Sequence, residues 1–268
     1  MTTHAAPAPA KHLFRDCTTM LRRQLKHALR YPGLSIGTIA VPVVFLLLFV
    51  YVLGRPLAAG IGTGTGYINT GYINYLAPGI LLMTVTAAST STAVSVCTDL
   101  TEGIVARFRT MAISRSSILV GHVVGSFIQT MVSVGIVIVL SLLMGFRPNA
   151  GLTGWLAALG LIALLTFAVT WLAVALGTLS KTPEGASNIV MPLALLPFIG
   201  SAFVPTDSMP TVVRVFAEYQ PFTPVIETIR ALLMDTPAGS DGIAAVAWCV
   251  GIAAAACLWA NKLFNRPA

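Results

Sequence analysis

The sequence predicts an all-α integral membrane protein with six transmembrane helices, and three observations predict it. Of 268 residues, 56% are hydrophobic and only 9% are charged, with a mean hydropathy of +0.85; a soluble chain carries about 25% charged residues. Apolar stretches recur at lengths suited to spanning helices and too long for the strands of a barrel. The polar connections between them alternate between basic and nearly neutral. An N-terminal amphipathic helix, a surface helix between the second and third spans, and two short re-entrant helices before the sixth complete the expected layout.

The formal charge of +7 would point to nucleic acid in a soluble protein. Here the basic residues sit beside the apolar spans, so anionic lipid and topology account for them and no nucleic-acid partner is expected. Cys17, Cys97, Cys249 and Cys257 form no C-x-x-C pair and fit no metal spacing. They read as small apolar fillers, and no metal site is expected.

Residues 1–10 are polar and rich in proline and alanine, without the apolar core of a signal peptide, and read as a disordered tail with no cleavage. Residues 11–30 form an amphipathic helix, within an elbow unit of 11–33. Phe14, Cys17, Leu21, Leu25 and Ala28 share one face, and Arg15, Arg22, Arg23, Lys26 and Arg30 occupy the other. Such a helix lies on a membrane rather than crossing it, and Tyr31-Pro32-Gly33 breaks it before the bilayer.

The remainder, 34–268, is one transmembrane domain. The first span covers about 34–53, with Pro42 as its kink. Residues 60–74 read as a glycine- and tyrosine-rich loop, with Tyr67, Tyr72 and Tyr75 at the membrane interface. The second span, about 76–98, aligns Thr84, Ser91, Ser95 and Thr98 on one face. Two readings of that stripe stand: helix–helix packing through small side chains, or a polar wall along a transport path.

Residues 98–117 are the longest polar insertion on the basic side. Asp99-x-x-Glu102 has capping-box spacing, so a helix is expected to begin there. Ile104, Phe108 and Met111 then share one face, with Glu102 and Arg109 opposite. That apolar face either rests on lipid headgroups or docks into a partner protein.

The third span covers about 118–143 and opens with Gly121-x-x-x-Gly125, which permits close helix contact; His122 is read as solvated or hydrogen-bonded rather than as a proton carrier. The fourth covers about 155–179. A polar loop, 180–188, precedes a short fifth span, 189–203, that contains Pro192 and Pro197. Residues 204–242 hold two apolar pieces, 211–219 and 225–234, punctuated by prolines and by Arg214, Glu218, Glu227 and Arg230. Neither is long enough to cross a hydrocarbon core of about 30 Å, so both are expected as re-entrant or interfacial helices. The sixth span covers about 243–259.

With six spans both termini lie on one side, and twelve of the sixteen lysines and arginines fall there. The positive-inside rule makes that side the cytoplasm. The chemistry is mostly an absence. No H-E-x-x-H, phosphate loop, catalytic triad or metal cluster occurs, so the chain is not expected to be an enzyme. Nor do the spans carry deep ionisable residues of the kind that proton- or sodium-coupled carriers use. Uphill transport would draw its energy from another subunit.

The order of these pieces resembles the permease subunits of ABC type-2 exporters, in particular the daunorubicin-resistance drug-efflux branch. The resemblance rests on the basic elbow at 11–30, the run from Glu102-Gly103 through Arg107-Phe108-Arg109 to Met111, and Ile113-Ser114-Arg115. It also rests on Pro-Glu-Gly-Ala-Ser-Asn at 183–188 and on 220–233 from Gln220-Pro221 onward. It implies that Glu102, Arg107, Phe108, Arg109 and Met111 belong to a coupling helix that meets an ATPase subunit. It further implies two ATPase copies carrying ATP and Mg, a second permease that is a copy of the same chain, and a multi-pass location in the cell inner (plasma) membrane. No cofactor is expected on the chain itself. The implied cargo is a hydrophobic small molecule, whether drug, antibiotic or lipid-like. A permease for a polysaccharide or lipid-linked glycan shares the architecture but not the loop pattern. A secondary carrier would need a buried ionisable site, and a membrane-embedded enzyme a convergent polar cluster.

Overall fold

The computed structural model describes residues 32–53, 72–102 and 115–264. Among them the chain is helical, with no strand. Helix α1 is Pro32–Leu47, continued by a π-helical turn, Leu48–Val52. Then come α2, Tyr72–Thr101, α3, Arg115–Leu143, and α4, Leu152–Leu179. After α5, Pro183–Ile199, two short helices follow, α6, Thr211–Tyr219, and α7, Phe222–Leu233. Helix α8, Asp241–Phe264, ends the described chain. Within the described residues four helices are long and apolar enough to cross a membrane: Tyr72–Thr101, Leu119–Leu143, Leu152–Leu179 and Asp241–Leu263. The protein is an integral membrane protein built of helices.

Helices α2 and α4 form the centre, α4 against α8, α2, α3 and α7, and α2 against α5, α3 and α1. Tyr72 to Thr86 of α2 are all buried, as expected for a helix that is apolar on every side. Leu76, Ile80 and Leu82 pack with Ile162 and Leu165 of α4 and with Phe222, Ile226 and Ile229 of α7. Phe45 of α1 and Phe49 of its π turn meet Phe198 and Phe203, with Phe49 and Phe203 stacked at 4.5 Å. Leu143, Leu152, Leu156, Ile243 and Leu258 are exposed on the outside of the bundle. In water they would be a liability; against lipid chains they match their solvent.

Two glycines set how close the central helices come. A Cβ on Gly177 of α4 would lie 2.6 Å from the Ala93 carbonyl oxygen of α2, and one on Gly79 would lie 2.6 Å from the Ala202 side chain. Gly177→Val is therefore expected to force α2 and α4 apart, cost about 1–3 kcal/mol and lower the melting temperature in detergent. Gly251→Val, whose added carbon meets nothing within 4 Å, should leave it unchanged.

Several boundaries differ from the sequence expectations. Residues 72–74 are not loop: α2 already begins at Tyr72, and the Tyr72 and Tyr75 rings are buried. Their hydroxyls donate to the carbonyls of Phe203 and Ser201, at 2.9 and 3.0 Å. Asp99 does not cap a new helix. It lies in the last turn of α2, where the Glu102 N–H still donates to the Thr98 carbonyl at 2.9 Å. The polar stretch 180–188 is mostly helix. Thr182 accepts from the Gly185 N–H at 3.1 Å, Pro183 opens α5 and Glu184 sits in its first turn, an arrangement that favours a helix start. Accordingly α5 runs Pro183–Ile199, not 189–203, and Gly200 follows it. The second short helix starts at Phe222 rather than 225, since Pro224 in its first turn removes an N–H that has no partner there. The tail at 1–10, the elbow at 11–30 with Arg15, Arg22, Arg23, Lys26 and Arg30, and the segment carrying Arg107, Phe108, Arg109 and Met111 lie outside the described residues.

Candidate functional site

Prolines place the two short helices. Pro205 and Pro210 frame a 3-10 turn, Thr206–Ser208, before α6, and Pro221 separates α6 from α7. Helix α6 buries only Ala217 and leaves Val212, Val215, Phe216 and Tyr219 exposed. Helix α7 is buried along most of its length. Of the four polar residues expected here, Glu218, Glu227 and Arg230 line one cavity, and Arg214 pairs with Glu218 outside it.

Arg214 is a surface group. Its Nη2 lies 2.8 Å from Asp207 Oδ1 and its Nε 2.7 Å from Glu218 Oε1. These contacts, Glu218 first, raise the guanidinium's already high pKa. Exposed pairs of this kind contribute little to stability.

Arg230 is different: only 3% of it is exposed. Nη1 donates to Glu227 Oε1 at 2.6 Å. Nε and Nη2 donate to the Tyr75 carbonyl at 3.3 and 3.1 Å, and Nη2 also reaches the Ser201 carbonyl at 2.9 Å. The guanidinium carbon sits 3.8 Å from the centre of the Tyr75 ring, adding a cation–π contact. Only a planar fork with five donors serves so many acceptors at once. One side chain thus ties α7 to the start of α2 and to the turn after α5.

A cavity of about 640 Å³ opens beside this node, lined by Tyr75, Asp207, Glu218, Thr223, Glu227, Arg230 and Asp241 among others. Four carboxylates face it against the one guanidinium. Among the described residues no group of His, Cys, Asp and Glu has the geometry to hold a metal ion.

The hydroxyl stripe of α2 turns inward on its own helix. Thr84, fully buried, donates to the Ile80 carbonyl at 2.9 Å, Ser91 to Ala88 at 2.8 Å and Thr98 to Val94 at 2.9 Å. Ser95 is half-buried on the same side. Each of the Thr84, Ser91 and Thr98 hydroxyls spends its donor on its own helix. Glu102, exposed, ends the described part of α2.

The sequence reading missed the acceptors on Tyr75 and Ser201, Asp241 at the start of α8, and a buried contact of 3.1 Å between His122 Nε2 and Asp99 Oδ2. The Glu227–Arg230 spacing, i to i+3 on an otherwise apolar helix, was the one local hint of a buried pair.

Residues 15–234 match the ABC-2 type transporter family. The chain is 27% identical over 235 residues to the daunorubicin resistance ABC transporter permease protein of Streptomyces coeruleorubidus, covering 87% of this chain and 80% of that one. It is 24% identical over 217 residues to a probable doxorubicin resistance ABC transporter permease protein of Mycobacterium tuberculosis, covering 81% and 76%. A putative transport permease of Porphyra purpurea is 26% identical over 229 residues, covering 84% and 76%.

Proposed function

The chain belongs to the ABC-2 type transporter family, and we propose that it is the membrane-spanning permease subunit of an exporter driven by ATP hydrolysed on a separate subunit. The observation that carries this reading is a family match running from the basic N-terminal stretch through α7. Relatives of similar length are resistance permeases by name.

In this reading α2, α3, α4 and α8 cross the bilayer, joined by α1 with its π turn and by α5. Those two are about 31 and 26 Å long at 1.5 Å per residue, close to the hydrocarbon thickness. Helices α6 and α7 stay on the external side as a re-entrant pair, with Arg230 bracing them against α2. Both termini and the 98–117 segment face the cytoplasm, and the protein sits in the cell inner (plasma) membrane. Two copies of the chain pair with two ATPase subunits, which carry the ATP and Mg, and the cargo is a hydrophobic small molecule such as a drug, antibiotic or lipid.

Orientation is testable by itself. Cysteine placed at Asp207 or Ser240, both exposed, is expected to react with an impermeant thiol reagent applied to intact cells. Labelling of both only after permeabilisation would reverse the topology.

The function is tested by capture and hydrolysis. Tagged permease, expressed with a candidate P-loop ATPase subunit, should retain that ATPase through purification in detergent. In proteoliposomes the pair should hydrolyse ATP faster when hydrophobic amphiphiles are added. A permease that captures no ATPase and leaves its hydrolysis unchanged would refute the reading.

A further inference from the structure

Asp99 and His122 stand on either side of the 103–114 segment, one in the last turn of α2 and the other in the second turn of α3. His122 Nε2 lies 3.1 Å from Asp99 Oδ2, with side-chain exposures of 7% and 15%. One turn back on each helix stand Val96 and Leu119, members of a buried apolar cluster with Val123, Trp171 and Val174. A carboxylate–imidazole contact at the rim of such a cluster is poorly screened by water and correspondingly strong. Two further contacts fix the same end of α2 against α4: the backbone approach of Gly177 to Ala93, and the Cys97 thiol 3.4 Å from the Ser180 carbonyl. Helix α2 is therefore a fixed post, and the contact ties α3 to it.

We propose that Asp99 and His122 form a clasp that sets the spacing of the two helices carrying the 103–114 segment, and thereby positions that segment for coupling to the ATPase. The inference rests on the exporter reading above. With the clasp closed, a push on the segment moves α2 and α3 as one body. Without it, the displacement is absorbed between the two helices before reaching the rest of the bundle. Asp99 and His122 are positioning residues; neither needs to touch the ATPase or the cargo.

His122→Phe keeps the ring volume, suits the apolar neighbours and removes the donor. It should leave membrane abundance and ATPase capture unchanged while substrate-stimulated hydrolysis falls by about tenfold. Asp99→Asn/His122→Phe, which also removes the carboxylate charge, should remain equally uncoupled, because stability is not the quantity at issue. His122→Gln, whose side-chain amide donates to Asp99, should stay within about twofold of the parent. Normal stimulation in His122→Phe would overturn the clasp, as would a loss in His122→Gln equal to that in His122→Phe. So would recovery of coupling in the double variant. If instead the unmodified complex shows no stimulated hydrolysis, the exporter reading fails, and the clasp's role fails with it.

Discussion

Arg230→Met is expected to destabilise the protein by about 1–3 kcal/mol, the range for buried acceptors deprived of a donor, with Glu227, about one-third exposed, adding little. Methionine fills much of the space of the arginine stem, so the loss falls on the head group. The Tyr75 carbonyl and Glu227 lose their guanidinium donor, and Ser201 retains only the Tyr75 hydroxyl. Buried acceptors without donors are costly, and here three elements come loose together. The measurement is the midpoint of thermal unfolding in detergent, with Arg214→Met as the control. Arg214 lies in the open with Asp207 and Glu218, and losing it should cost about 1 kcal/mol or less. Equal shifts in the two variants would mean that Arg230 is not the node it is taken to be. Arg230→Lys should fall between them, because one ammonium cannot reach all the acceptors that the fork serves.

Phe108→Ala is expected to have the larger functional effect. Phe108 is the bulkiest apolar group of its segment, and Ile104 and Met111 share its face at helical spacing. If that face docks into a groove on the ATPase, truncating its central aromatic should cost about 2 kcal/mol or more of binding. Arg107 and Arg109 beside it would steer acidic groups at the rim, changing the rate of encounter more than the final affinity. The variant should reach normal membrane abundance, lose co-purification with the ATPase and lose substrate-stimulated hydrolysis. Normal capture and normal transport would mean that the segment only rests on lipid.

The long helices were legible because a run of about 20 apolar residues is a one-dimensional signal. The short pair α6 and α7 was legible because Pro210 and Pro221 cut the chain where it cannot continue as helix. What failed was local polarity taken as loop. Thr182-Pro183-Glu184 reads as a helix start once the cap is recognised, yet the polar stretch around it was assigned to a connection. Asp99 failed in the opposite sense: a cap was assigned inside a helix that had not ended, because the expected span stopped at 98 and α2 continues to Thr101. The depth of Arg230 was beyond local reading, since its acceptors lie 155 and 29 residues away in the chain. His122 could be read only as hydrogen-bonded; that Asp99 is its partner follows from the packing of α3 on α2.

As an exporter permease, this chain should move cargo outward using ATP hydrolysed on another subunit. The most direct measurement is uptake of a fluorescent hydrophobic amphiphile into inverted membrane vesicles holding the permease and a partner P-loop ATPase. Uptake should require ATP and Mg, require both chains, persist in the presence of a protonophore, and vanish when the P-loop lysine of the ATPase is replaced. Uptake that proceeds without the ATPase and collapses with the proton gradient would identify a secondary carrier and contradict the account.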